Sequence, residues 1–230
     1  MKKQNIFAPI KTATVSKTVM ERIKEALINK TLKPGDRLPT ETEMCESMDV
    51  GKSSVREAVK MLEVLGVVET RQGDGTFISS SIPANSVNPL VFQLLIDSGN
   101  NKSIMELRSM FEPAYTLLAL KNATEEDIRR IMAACDSFRE KVAQGTQNAD
   151  DDLDFHIAIL EATHNSFVIR IGVTVMQLFR ASIVNSMRQI PQRAVIDHDR
   201  ILAAFLKKDE VELHNAIVMS FEGWHSIMEE

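Results

Sequence analysis

With 230 residues, 44% hydrophobic and 26% charged, the chain has the length for two domains and the balance of an ordinary globular protein. It holds no apolar run of 18 residues, and Met1-Lys2-Lys3-Gln4-Asn5 lacks the apolar stretch of a secretory leader. These patterns argue against a membrane-spanning or exported chain, and a cytoplasmic protein is expected. The net charge of −5 speaks against nucleic acid until the chain is divided: residues 1–80 hold 13 Lys/Arg and 11 Asp/Glu, residues 81–230 hold 14 and 21. Positive charge gathers in the first third, as on a DNA-reading head joined to an acidic body.

In chain order, Val19, Ile23, Ala26 and Leu27 are spaced for one face of a helix from Ser16 to Lys30. Lys33-Pro34-Gly35-Asp36 reads as a turn. Thr40-Glu41-Thr42-Glu43 reads as a capping box that opens a second short helix ending near Met48-Asp49. Val50-Gly51 makes the next turn, and a third helix runs from Ser53, its cap, to Leu65, with Val55, Val59, Leu62 and Leu65 inward and Gly66 closing it. Val67–Thr70 and Thr76–Ile78 flank Arg71-Gln72-Gly73-Asp74-Gly75 as a β-hairpin. Three helices and a hairpin, with a tight turn between helices two and three, predict a winged helix-turn-helix over residues 10–80. The small polar stretch 81–87 reads as a linker. From residue 88 to 230 the pattern predicts only helices, near 88–98, 102–121, 124–144, 149–163, 166–187, 191–207 and 209–228, an all-α bundle that makes the whole chain mainly α. Cys45 and Cys135, far apart and each within an apolar helical pattern, read as buried thiols.

Chemistry concentrates in two places. In Val50-Gly51-Lys52-Ser53-Ser54-Val55-Arg56-Glu57, Lys52 can reach a phosphate or guanine, Ser53 and Ser54 can donate to phosphates, and Arg56 can grip bidentately if this is a recognition helix. In the helical half, Asp152 and His156 stand at i and i+4 on one helix face, and His198 follows on another helix, a set able to chelate a divalent metal. The alternative is a surface Asp–His pair with His198 in a polar core. Arg108 and Arg180 lie among apolar neighbours, where an arginine calls for an anionic partner such as an effector carboxylate. Otherwise Arg108 pairs with Glu112 one turn away, and Arg180 lies at the surface. His164, His214 and His225 read as surface histidines.

Pro34-Gly35-Asp36-Arg37-Leu38-Pro39-Thr40-Glu41, the stretch Val50 to Ala58, Gly66-Val67-Val68 and Gly73-Asp74-Gly75-Thr76-Phe77-Ile78 resemble, without a gap over residues 12–80, the DNA-binding domain of the GntR family. That resemblance implies DNA contacts by Arg37, Lys52, Ser53, Ser54 and Arg56, with the hairpin tip Gln72-Gly73 near the minor groove. Gly51-Lys52 stands where the family has Ser-Arg, and Thr42 where some members have Arg, so a Lys point charge replaces the Arg fork. Leu107-Arg108, Glu112-Pro113, Asp152 to His156, His164-Asn165, Asp197-His198 and Asp209 resemble the helical effector (FCD) domain of the FadR-type branch. The resemblance implies a metal held by Asp152, His156 and His198, most commonly zinc, and a fourth His at a position that here is Ser220, leaving water or an effector carboxylate to complete the site. Arg108, Arg180, Asn165 and Ser220 are the expected effector contacts, and sugar acids such as galactonate the expected effectors. The expected protein is a homodimeric repressor on a pseudo-palindromic operator. Two other readings are a metal-dependent hydrolase, for which Asp154 and Glu161 are the nearby bases, and a DNA-binding protein whose body only dimerises.

Overall fold

The computed structural model describes residues 15–80, 89–97 and 101–228; the side chains of 92, 95–97, 101, 181–182 and 222–228 lie outside the description, as does the expected linker 81–87. The chain divides into two compact units, Met1–Pro89 and Leu90–Glu230.

In the first unit, α1 (Val15–Ile28), α2 (Glu41–Met48) and α3 (Lys52–Val64) precede an antiparallel hairpin of β1 (Val68–Arg71) and β2 (Gly75–Ile78). α2 begins at the capping box that Thr40 and Glu43 announce: the Thr40 side chain accepts from the Glu43 N–H, and the Glu43 carboxylate accepts from Thr40 N–H at 2.7 Å. Two local details differ from expectation. The left-handed residue in the turn after α2 is Asp49 (φ +53°), while Gly51 is extended and caps α3 with no side-chain bond. Ser53 is therefore inside α3, two positions past the cap. The chain before α2 also joins the hairpin: Leu38 N donates to Thr76 O, Ile78 N to Asp36 O, and Arg37 bridges Phe77. Val19, Ile23, Leu38, Met44, Val55, Ala58, Val59, Leu62, Val68 and Ile78 form one core, so α3 is fixed by its apolar face while its other face is left to solvent.

The second unit is α4 (Pro89–Asp97), α5 (Asn101–Asn122), α6 (Glu125–Gln144), α7 (Ala149–Glu161), α8 (Ser166–Gln189), α9 (Pro191–Lys207) and α10 (Glu210–Met228). No strand occurs there among the described residues. α6 packs on α7 and α9, α9 on α10, α5 on α10, α7 and α8, and α7 on α8. Helix starts carry strong caps: Thr124 with Asp127, Asn148 with Asp151, and Asn165 accepting from the Phe167 and Val168 N–H groups. Gly145 ends α6 in the left-handed conformation and Pro191 opens α9. The core is aliphatic with a few aromatics, centred on Ile131, Phe138, Phe155, Ile159, Leu160, Ile183, Ile201, Leu213 and Ile217. No single helix among the described residues is long and apolar enough to cross a membrane.

Candidate functional site

α7 and α9 carry polar side chains into the core of the helical unit. Asp152, His156 and His198 are all buried, and one ligand atom from each lies within 4.8 Å of the others. The two imidazoles face each other through Nε2 at 3.2 Å. Asp152 Oδ1 is 3.4 Å from His198 Nε2, and Oδ2 is 4.0 Å from His156 Nε2. Phe138 and Phe155 hold the His198 ring, with centroids at 4.9 and 4.2 Å, so its position is set by packing. Asp152 Oδ2 and His198 Nδ1 are buried with no hydrogen-bond partner in the protein.

Burial pushes Asp152 above the usual carboxylate range, and burial beside His156 holds His198 well below the usual imidazole range. A neutral imidazole is the form that ligates a metal. Bonds of about 2.0–2.2 Å in a tetrahedral set place ligand atoms about 3.3–3.5 Å apart, close to the His156–His198 edge of 3.2 Å and the His198–Asp152 edge of 3.4 Å, while the His156–Asp152 edge is longer at 4.0 Å. By donor type, spacing and the unsatisfied Asp152 oxygen, the three residues fit a divalent cation.

Glu112 of α5 backs the cluster. Its Oε2 accepts from Arg108 Nε at 2.7 Å, and its Oε1 lies 3.0 Å from His156 Nδ1. Burial alone would raise its pKa; Arg108 and His156 overcome that and hold it well below the usual range. Arg108 is buried too, its guanidinium 5.5 Å from the ring centres of Phe179 and Phe221. It borders two small cavities of about 20 Å³ each, large enough for a water-sized group. One is lined by Asp152, His156, Asp197, His198 and Ser220, the other chiefly by Phe111, Tyr115, Val175, Met176, Phe179 and Ile183. Ser220 Oγ donates to Ile217 O at 2.7 Å, leaving its lone pairs to the first cavity.

Two expected effector contacts lie elsewhere. Arg180 is on the outer face of α8, paired with exposed Asp150 at 2.9 Å, because the helical period that buries Leu178, Phe179 and Ile183 turns position 180 outward. Asn165 is an exposed helix cap. His214 is exposed, and the His225 side chain lies outside the description. His164 is half-exposed but not idle: its Nε2 is 2.7 Å from buried Asp127 Oδ2. Asp154 is exposed, and Glu161 is exposed and paired with Arg130, so neither hydrolase base reaches the cluster. Sequence reasoning named Glu112 as a partner for Arg108 and as part of the family resemblance, not as a contact of His156. Its contact to His156 joins residues on different helices and leaves no periodic signal.

In the first unit Arg37, Lys52, Ser53, Arg56, Gln72 and Gly73 are exposed and Ser54 is half-buried. Lys52 and Ser53 stand in the first turn of α3, where free N–H groups and the helix dipole favour phosphate. Arg56 is held by Glu41 of α2 through Nη2 at 3.0 Å and Nε at 3.3 Å. Arg37 lies over Gly75, whose φ of +118° and lack of Cβ let the guanidinium come within 2.9 Å of the place a Cβ would take. Gln72-Gly73 form the hairpin tip, and Arg71 stacks over Phe77 at 4.3 Å.

The model of the gntR family of bacterial regulatory proteins matches residues 15–78, and the FCD domain model matches 103–222, more than half of the chain. The Uxu operon transcriptional regulator of Escherichia coli (strain K12) is 31% identical over 203 residues, covering 81% of this chain and 76% of that one. The HTH-type transcriptional regulator LutR of Bacillus subtilis (strain 168) is 31% identical over 183 residues, 76% of this chain and 84% of that one. The solved structure of Streptococcus agalactiae GntR is similar with a TM-score of 0.67 and 25% identity, over 92% of this chain and 99% of that one. The chain therefore belongs to the GntR family of bacterial transcriptional regulators, of the FadR type, with an N-terminal DNA-binding helix-turn-helix domain and a C-terminal FCD effector-binding domain.

Proposed function

We propose that this regulator is a cytoplasmic homodimeric repressor that releases its operator when a small carboxylate enters the helical unit, and that a divalent cation, zinc by donor type, is part of the acid's site. The observation that carries this reading is the buried set Asp152, His156 and His198, with a carboxylate oxygen that has no hydrogen-bond partner in the protein, near a buried arginine. Asp152, His156 and His198 would hold the cation, which would supply a positive centre for an acid's carboxylate. Arg108 would face that carboxylate across the small cavity, and the Ser220 lone pairs would accept from a hydroxyl of the acid. The absence of a fourth His leaves a coordination position for ligand or water. Sugar acids are the effector class we favour.

On DNA, Lys52, Ser53 and Ser54 would engage phosphates at the start of α3, Arg37 and Arg56 would reach backbone or base edges, and Gln72-Gly73 would approach the minor groove. A two-fold dimer would read a pseudo-palindrome. An acid that binds one arrangement of the helices better than the other shifts the population between them, and the shift is bounded by that difference in affinity. The test is a thermal-shift screen of the full chain over carboxylic and sugar acids, with metal content measured in wild type and in His156→Ala. A sugar acid should raise the melting temperature by mass action. Wild type should carry about one zinc per chain, and the variant close to none. No stabilising acid, or equal metal in both proteins, would count against the reading.

A further inference from the structure

The two oxygens of Glu112 serve two different partners, both buried. Oε2 accepts from Arg108 Nε, and Oε1 faces His156 Nδ1 at 3.0 Å. An ionised carboxylate can only accept, so His156 must carry its proton on Nδ1. With the proton there, Nε2 is the atom left to offer a lone pair to a cation, and it faces His198 at 3.2 Å and Asp152 at 4.0 Å. With the proton on Nε2 instead, an N–H would point into the cluster and block a cation. Glu112 thus selects which nitrogen of His156 meets the other two ligands. At the same time it fixes the guanidinium of Arg108, which borders the same small cavity as Asp152, His198 and Ser220.

We infer that Glu112 is a positioning residue that couples cation binding at Asp152, His156 and His198 to carboxylate binding at Arg108. The inference rests on the proposed reading of those three residues as a cation site. A carboxylate that draws on Arg108 takes a share of the positive charge now neutralising Glu112. The freed negative charge strengthens the hydrogen bond to His156 Nδ1 and makes Nε2 the better donor. A bound cation, in turn, polarises the His156 ring towards Glu112 and loosens that carboxylate's claim on Arg108. Each ligand therefore tightens the other, and by linkage by the same factor.

Gln at position 112 has nearly the same shape but cannot serve both partners. If its oxygen takes His156, its NH2 opposes the Arg108 N–H; if it flips, its NH2 drives the His156 proton onto Nε2. The test uses the full chain stripped of metal, titrated with Co2+ and followed by visible absorption, with and without excess acetate. Wild type should bind Co2+, with acetate tightening binding by roughly fivefold or more. Glu112→Gln should bind Co2+ about 10–100-fold more weakly, and acetate should tighten that binding clearly less than in wild type, the remainder being the acid's direct contact with the cation. Glu112→Asp, which keeps the charge, should retain an acetate effect and serves as the second variant if Gln impairs folding. Wild-type Co2+ affinity in Glu112→Gln, or a full acetate effect there, overturns the inference, as does the loss of that effect in a folded Glu112→Asp. A wild-type chain that takes up no Co2+, or an Asp152→Asn chain that binds it as well as wild type, defeats instead the cation-site reading beneath it.

Discussion

Gly172 lets α8 lie close against α7, the helix that carries Asp152 and His156, and replacing it measures how rigidly that helix is held. A Cβ at position 172 would come within 2.6 Å of Leu160 Cδ1 and nearer still to Cδ2. Carbon atoms pack best at about 3.5–4.0 Å, so the clash is about 1 Å or more. Leu160 is 0% exposed and cannot swing into solvent. On an open helix face, Gly→Ala would stabilise by about 1 kcal/mol through propensity. Overpacking a closed core costs about 1–3 kcal/mol, occasionally more. The clash here belongs in the upper part of that range, and Gly172→Ala should therefore lose about 1–2 kcal/mol net, with Tm lower by about 2–8 °C for a unit of this size. Thermal unfolding followed by far-ultraviolet circular dichroism reads the shift. Leu160→Val removes one of the crowding carbons and should make the double variant more stable than the sum of the single losses predicts. A Gly172→Ala protein that melts above wild type would show that the α7–α8 contact is soft and that the reasoning is wrong.

Acid should weaken the helical unit through Asp127. Burial would raise this carboxyl, but Thr124, Arg130 and His164 hold it well below the usual carboxylate range. A folded-state value below the unfolded one gives stability that is present above about pH 4 and is lost as pH falls towards the folded value. Urea midpoints measured across that window should fall with acid in wild type and vary less in Asp127→Asn; parallel curves would refute the assignment. Lys52→Ala should weaken operator binding similarly across sequence variants and reduce the slope of log affinity against log salt by about 1; an unchanged slope would remove Lys52 from the phosphate contacts. Arg180→Ala breaks only an exposed pair, so stability should change by less than about 1 kcal/mol. Its response to the effector should match wild type, and loss of that response would return Arg180 to the site.

Much of this architecture can be read in the sequence where it is local. The helix limits follow the apolar period, and Thr124 with Asp127, Asn165 and Gly145 mark helix ends by chemistry that acts within four residues. Asp152 and His156 are legible as a pair because helix geometry alone puts i and i+4 on one face. What depends on packing between distant segments is less visible. Residues 36–38 pair with the hairpin, though a Pro-Gly turn beside them signals only a loop. Arg180 has apolar neighbours in sequence, but a shift of one residue along a helix turns a side chain by about 100°, and it faces Asp150 in solvent. The bond from Glu112 to His156 crosses 44 positions between two helices, and no spacing rule anticipates it.

The most direct test of the proposed function is the affinity of the full, metal-loaded chain for the DNA upstream of its own gene, measured by fluorescence anisotropy as the most strongly stabilising acid is titrated in. The account predicts that affinity falls by about tenfold, within the usual 5–150-fold range of coupling between sites, and that Arg108→Ala blunts the fall. DNA affinity that stays constant to saturating acid, or an Arg108→Ala protein that responds like wild type, would contradict it.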